Sequence, residues 1–235
     1  MTHKTDPIYM GDKVGMVELY DWMQMNPCLK AVNVARASFG KRVSTFDLFK
    51  DKKFLDFLAE YLHSSPFRHS YITLYVQCPE VVARQWYKHA IGGDYTYKDL
   101  AWNEISGRYV EYNQFYTPKD FYSQSKVRKQ GRTNEVHPRS EHFKREYARI
   151  QEQALTLYKE MASSGVAMEQ ARLVLPFATY TNFYWTASPQ AIFHFVNLRN
   201  KPDAQAEIRE YAEAVAEIGR MHYSHLWDSM ETFWS

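Results

Sequence analysis

Val81-Val82-Ala83-Arg84-Gln85-Trp86-Tyr87-Lys88-His89-Ala90 and, a short way on, Trp102-Asn103-Glu104-Ile105-Ser106-Gly107-Arg108-Tyr109 organise this chain. In the first part, apolar Val81, Val82, Trp86 and Tyr87 alternate with Arg84, Gln85, Lys88 and His89. That spacing predicts a helix with one buried face. Gly92 and Gly93 stop it, because glycine is poor in helices and good where a chain must turn. In the second part Glu104, Ser106 and Arg108 lie two apart, so an extended segment presents them on one face. A carboxylate, a hydroxyl and a guanidinium on one face suit a polar ligand better than a core.

Outward from this stretch, the pattern alternates between helix and strand. Residues 1–12 are polar and read as frayed, and 14–23 alternate as a strand does. Asn26-Pro27 reads as an N-cap with proline at the first helical position, opening a helix to about Ser38. Ser44 or Thr45 is the expected cap of a helix over 46–62, with Phe49, Phe54, Leu55, Phe57, Leu58 and Leu62 as its apolar stripe. Residues 71–76 are β-branched and aromatic, a strand, and Pro79-Glu80 opens the central helix. Residues 112–116 are short and aromatic, and 123–140 read as a long polar loop. A long amphipathic helix is expected over 143–161 and a short one over 168–173. Thr, Tyr, Phe and Trp make 179–186 a strand, and 190–198 and 204–222 are two further helices. Helices and strands mix without a regular βαβ alternation, so the fold class is α+β, one domain over 1–235 with a central antiparallel-type sheet flanked by helices.

Composition narrows the function. The 235 residues carry 45% hydrophobic and 16% aromatic side chains, enough for a core. A net charge of +2 argues against broad, nonspecific nucleic-acid binding, although two or three arginines can still hold a small anion. Cys28 and Cys78 lie far apart without CxxC spacing and read as reduced and structural, in a cytoplasmic protein. No basic-then-apolar leader and no long apolar run is seen, which predicts neither export nor a membrane span. No metal-ligand spacing and no phosphate-binding glycine loop stands out.

Arg84-Gln85-Trp86-Tyr87-Lys88-His89 followed by Asn103-Glu104-Ile105-Ser106-Gly107-Arg108 resembles the signature of the flavin-dependent thymidylate synthases. Further ordered blocks carry the same resemblance: Ala35-Arg36-Ala37-Ser38-Phe39-Gly40, His63-Ser64-Ser65-Pro66-Phe67, Ala171-Arg172-Leu173-Val174-Leu175-Pro176 and Asn197-Leu198-Arg199. Together they span roughly 14–223 and are far more specific than one short motif. The chain departs from the pattern in places. Lys88-His89-Ala90 replaces the usual Arg-His-Arg, and about eight extra residues separate Ala90 from Asn103. Ser188-Pro189-Gln190 stands where Asn-x-Arg is usual, and His194 where Asn is often found. Lysine keeps a charge but not the planar fork, and alanine loses both.

The resemblance implies a homotetramer with shared active sites. It implies methylation of dUMP at C5, with methylenetetrahydrofolate giving the carbon and FAD, reduced by NADPH, giving the hydride. It implies nucleotide binding by Gln85, Lys88, Glu104, Ser106, Gly107, Arg108, Arg172 and Arg199, with Arg199 favouring ionisation of the uracil. It implies flavin or folate contacts from Ser38, His63, Ser65, Lys88, His89, Ala90, Glu104, Gln190 and His194. Taken as residues, Arg84, Arg108, Arg172 and Arg199 each adjoin apolar residues, where an unpaired guanidinium is costly. They form either internal ion pairs with Glu104, Asp203 or Glu207, or a cradle for a phosphate and a pyrimidine edge. His89 by itself reads more often as a packed or capping histidine. Ser106 has no base partner in sequence and is assigned to substrate binding. The basic run at 126–132 is a solvated loop or a holder for the folate's acidic tail, and the insert at 92–101 is a surface elaboration or a flap over the cofactor side. Two other functions stay open: one-carbon transfer to another pyrimidine nucleotide such as UMP, and a nucleotide-binding relative without catalysis.

Overall fold

A computed structural model describes residues 6–90, 101–126 and 131–235. Five strands form one antiparallel sheet in the order β1 (Ile8–Tyr9), β2 (Met16–Trp22), β3 (Ile72–Pro79), β7 (Tyr180–Ala187) and β4 (Ala101–Glu104). The β3–β7 register pairs Leu74 with Trp185, Val76 with Phe183 and Cys78 with Thr181, and all of these are buried. The alternate residues form a second face, where Tyr184 meets Tyr20 and Tyr75 and Thr73 bonds Thr186 at 2.8 Å. This period-two division makes one face core and leaves the other polar and aromatic.

Helices α3 (Glu80–Ala90), α6 (Pro189–Arg199) and α7 (Ala206–Tyr223) pack on the core face, contributing Val82, Trp86, Phe195 and Val215 to one cluster with the strands. Helices α1 (Pro27–Arg36) and α2 (Lys50–Glu60) extend that cluster, and α8 (His225–Trp234) closes it with Trp227 and Met230. Gly219 makes the last packing possible, since a Cβ there would stand 2.3 Å from the Trp227 ring. Helices α4 (Ser140–Ser163) and α5 (Met168–Ala171) lie in the chain between the hairpin of β5 (Tyr122–Gln124) and β6 (Arg132–Val136) and strand β7. Cys28 and Cys78 are buried free thiols, and burial pushes both above the ordinary thiol range. Among the described residues no helix is long and apolar enough to cross a membrane.

The structure corrects several sequence expectations. Residues 8–9 are not frayed but pair with β2. The expected loop at 123–140 contains a two-stranded hairpin, β5 (Tyr122–Gln124) with β6 (Arg132–Val136). Asp47 rather than Ser44 or Thr45 meets the amides at the start of α2: its Oδ1 accepts from Phe49 N and Lys50 N, both at 2.8 Å. Of the apolar stripe expected there, Phe49, Phe57 and Leu62 are exposed. Helix α8 has no counterpart among the expected elements. The insert at 92–101 and the middle of the basic run fall largely outside the described residues.

Candidate functional site

Helix α3 is fixed by its tryptophan. Trp86 stacks on Phe195 at 4.2 Å and stands edge-on to Phe183 and Trp185 at 5.4 and 5.6 Å. Such rings set the roll of the helix. Gln85 and His89, one helical turn apart, therefore leave α3 on one flank. Gln85 Nε2 donates to Val81 O at 3.1 Å and to Gln205 Oε1 at 2.7 Å. His89 Nε2 accepts from Arg199 Nε at 2.7 Å. Burial, then the charge of Arg199, then His194 and Lys88, push the His89 pKa down to about 4. The ring is neutral at neutral pH, with its proton on Nδ1 and its Nε2 lone pair turned to Arg199.

Arg199 is the last residue of α6, whose first turn is capped by Ser188 Oγ, accepting from Ala191 N. Gln190 and His194 lie along the same helix. Gln190 Oε1 accepts from Arg68 Nε at 2.5 Å, and Arg68 Nη2 donates to Ser64 Oγ at 3.3 Å. The His89 and His194 rings are 6.1 Å apart. Arg68 thus joins the segment carrying His63 and Ser65 to α6. Its role is invisible in sequence, because its partner is 122 residues away. Beyond Arg199, a cleft of about 620 Å³ opens between the β5–β6 hairpin and the α6–α7 connection. Arg132, Asn134, Arg199, Gln205, Glu207 and Arg209 line it. The sequence marks Arg199 as a ligand residue, Arg132 only within the basic run and Glu207 only as an ion-pair partner, and it gives no sign that they share a cleft with Asn134 and Arg209, since hairpin and connection meet only in the fold.

A second group gathers where β4 ends. Glu104 accepts from Thr181 Oγ1 at 2.6 Å and from Trp102 Nε1 at 3.1 Å. The chain does not continue extended as expected. It turns, with the amides of Tyr109 and Val110 donating to Ser106 O at 2.9 and 3.1 Å. Ser106 Oγ accepts from Arg108 N and Nε at 3.4 and 3.3 Å, so these two side chains meet within the turn instead of lining a strand. Gly107 is required there. A Cβ would stand 2.3 Å from Tyr112 Cε2 and 3.2 Å from Arg172 Cδ. The missing side chain lets Arg172 come up beside the turn.

Glu80, read in sequence only as a helix-dipole partner, faces this group. Burial and then the like charge of Glu104 raise its pKa to about 7, against the pull of Arg172 and Arg84. The arginines do not form the internal ion pairs weighed above. Among the described residues none of Arg84, Arg108, Arg172 and Arg199 pairs with Glu104, Asp203 or Glu207. Arg84 lies over the Phe177 ring at 5.7 Å instead.

The remaining candidates stand on the surface. Ser38, His63, Ser65, Lys88 and His194 are exposed. Ser38 Oγ donates to Ala35 O, and His63 stacks on Phe57 at 5.9 Å. No hydrogen bond joins Ser38, His63 or Ser65 to the arginines among the described residues. The Ala90 side chain lies outside the description. Among the described residues no three His, Cys, Asp or Glu side chains gather as metal ligands would.

The family described as thymidylate synthase complementing protein matches residues 18–222. A flavin-dependent thymidylate synthase of Thermus thermophilus is 36% identical over 218 residues, covering 92% of this chain and 76% of the relative. One from Thermosipho africanus is 37% identical over 215 residues, with 87% and 85% covered. Among solved structures, the UMP/dUMP methylase PolB of Streptomyces cacaoi bound with 5-Br dUMP superposes with a TM-score of 0.78 at 25% identity, covering 93% of this chain and 95% of that one.

Proposed function

The chain belongs to the thymidylate synthase complementing protein family, and from that premise we propose that it is a flavin-dependent thymidylate synthase. It methylates dUMP at C5, taking the carbon from methylenetetrahydrofolate. The observation that carries this reading is Arg199: half-buried, at the rim of the cleft, and without a carboxylate partner among the described residues. A guanidinium is held at such a cost where a ligand completes it.

The protein's own residues would work by binding and orienting. Arg199 contacts the uracil edge and favours loss of its N3 proton. Arg172, Arg108, Ser106 and Gly107 form a turn-and-fork cradle for the phosphate, with Gln85, Lys88 and Glu104 as further nucleotide contacts. Ser106 is a ligand and not a nucleophile: its oxygen accepts from Arg108 N and Nε, and among the described residues no base is bonded to its hydroxyl. The donor set fits a flavin dinucleotide. Lys88 offers a cation for the diphosphate, Ser38 and Ser65 offer hydroxyls, and His63, His89 and His194 offer rings. Ala90, Gln190 and Glu104 complete that side. Bound FAD, once reduced by NADPH, supplies the hydride.

These groups are scattered over exposed patches, and the cleft contains only Arg199 of the four arginines. That distribution supports a homotetramer in which neighbouring subunits complete each site. Two buried free thiols suit the reducing cytoplasm, where we place the reaction. A second reading, methylation of UMP as well, is favoured by the structural likeness to a UMP/dUMP methylase. The test is a titration of apo protein with FAD, followed by turnover with dUMP and with UMP in parallel. Saturable flavin binding and methylation of dUMP are expected. Methylation of UMP as well as dUMP would move the assignment to the second reading, and no saturable flavin binding would end both.

A further inference from the structure

We propose that His89 is a positioning residue for Arg199: its Nε2 accepts the Nε–H of that guanidinium and aims the two terminal nitrogens at the nucleotide. The inference rests on the assignment of Arg199 to the nucleotide, and it gives the signature histidine a task that the flavin does not define. The distance is 2.7 Å, between residues 110 apart in sequence. Arginine has five N–H donors in one plane. Spending the Nε–H on a fixed acceptor sets that plane and leaves four donors on Nη1 and Nη2 for a ligand. An arginine at the end of a helix otherwise has a long, rotatable side chain to order on binding.

The acceptor itself is fixed. His89 lies edge-on to the buried Phe195 at 6.0 Å, and Phe195 is held in turn by Trp86 at 4.2 Å. The imidazole must be neutral to accept, and its surroundings keep it so. It is partly buried, and Arg199 and Lys88 are both cations beside it. A protonated ring would lose its lone pair and face a like charge. A stacking residue for a flavin would need its ring face free but no particular nitrogen. A positioning residue needs the nitrogen.

Two variants separate these roles. His89→Phe keeps a flat ring and removes the acceptor. His89→Gln loses the ring and keeps an oxygen that can accept from Arg199. Affinity for dUMP and for FAD would each be measured by calorimetry on protein free of the other ligand. Expected for His89→Phe is a loss of dUMP affinity of about tenfold or more with FAD affinity nearly kept. His89→Gln should retain most dUMP affinity, and His89→Phe should add little to Arg199→Ala. The opposite pattern, FAD binding lost and dUMP binding kept in His89→Phe, would overturn the inference. Should His89→Phe not fold, nitrogen NMR of the wild-type histidines decides. A neutral His89 with its proton on Nδ1 at about pH 6 is expected, and an imidazolium there overturns the inference. If wild-type protein bound FAD but no dUMP, the nucleotide assignment itself would fail and take the inference with it.

Discussion

Glu80→Gln should make the protein more stable at alkaline pH and leave it unchanged in acid. Glu80 lies at the start of α3, facing Cys78 on β3, Arg84 on its own helix, Glu104 on β4, Tyr112 and Arg172. Its pKa is raised from 4.5 to about 7, first by burial and then by Glu104. The folded chain therefore holds this proton more tightly than the unfolded chain does. Stability contributed here is complete below 4.5, falls as pH rises through the window to about 7, and stays reduced above it. Taken whole, the displacement would amount to roughly 3 kcal/mol. Glu80 is only partly buried and solvent screens its neighbours, so about 1 kcal/mol is the expected cost above that window. Glutamine keeps the shape and never ionises. Thermal unfolding followed by circular dichroism should place the variant about 2–4 °C above wild type near pH 8. The difference should vanish near pH 4.5, where glutamate is protonated in the fold. Equal midpoints at both pH values, or a variant less stable in alkali, would refute the account of this carboxylate.

Arg199→Ala and Arg172→Ala should fold normally and lose turnover by roughly a hundredfold or more, because each removes a charged hydrogen-bond partner from a bound ligand; wild-type rates with dUMP would break the cradle. Gly107→Ala should weaken dUMP binding by pushing Tyr112 or Arg172 away from the turn, read by calorimetry against unchanged FAD affinity. Trp86→Ala should destabilise by about 3–5 kcal/mol in urea unfolding, since it empties the centre of the aromatic cluster between α3, α6 and β7.

What can be read from the sequence is the part written in short-range periodicity. Val82 and Trp86, one turn apart, announce the buried side of α3, and the β-branched and aromatic run of β7 announces a central strand. The hairpin strand Arg132–Val136 gives no such signal: Arg-Thr-Asn-Glu-Val is polar and mostly exposed, so no alternation marks it. Helix α8 does carry a signal, with Leu226, Trp227 and Met230 buried on one side, but a histidine-rich junction at 222–225 hides its start. The turn after Glu104 escapes a sequence reading because two-residue spacing fits a strand and a loop alike, and only Tyr112 and Arg172 packing on Gly107 decide between them. Arg84, Arg108, Arg172 and Arg199 are all legible as candidates. Their partners are not: the bonds His89–Arg199, Gln85–Gln205 and Arg68–Gln190 join residues more than a hundred positions apart, which no local pattern encodes.

Transfer of a one-carbon unit onto dUMP with a flavin is the activity that one measurement tests directly. The direct measurement follows a carbon label from methylenetetrahydrofolate into nucleotide, using purified protein with FAD, NADPH and dUMP. Labelled dTMP is expected, formed only when all four are present and reduced by roughly a hundredfold or more in Arg199→Ala. Protein that binds dUMP and FAD yet forms no labelled dTMP would contradict that activity and leave a nucleotide-binding relative without catalysis.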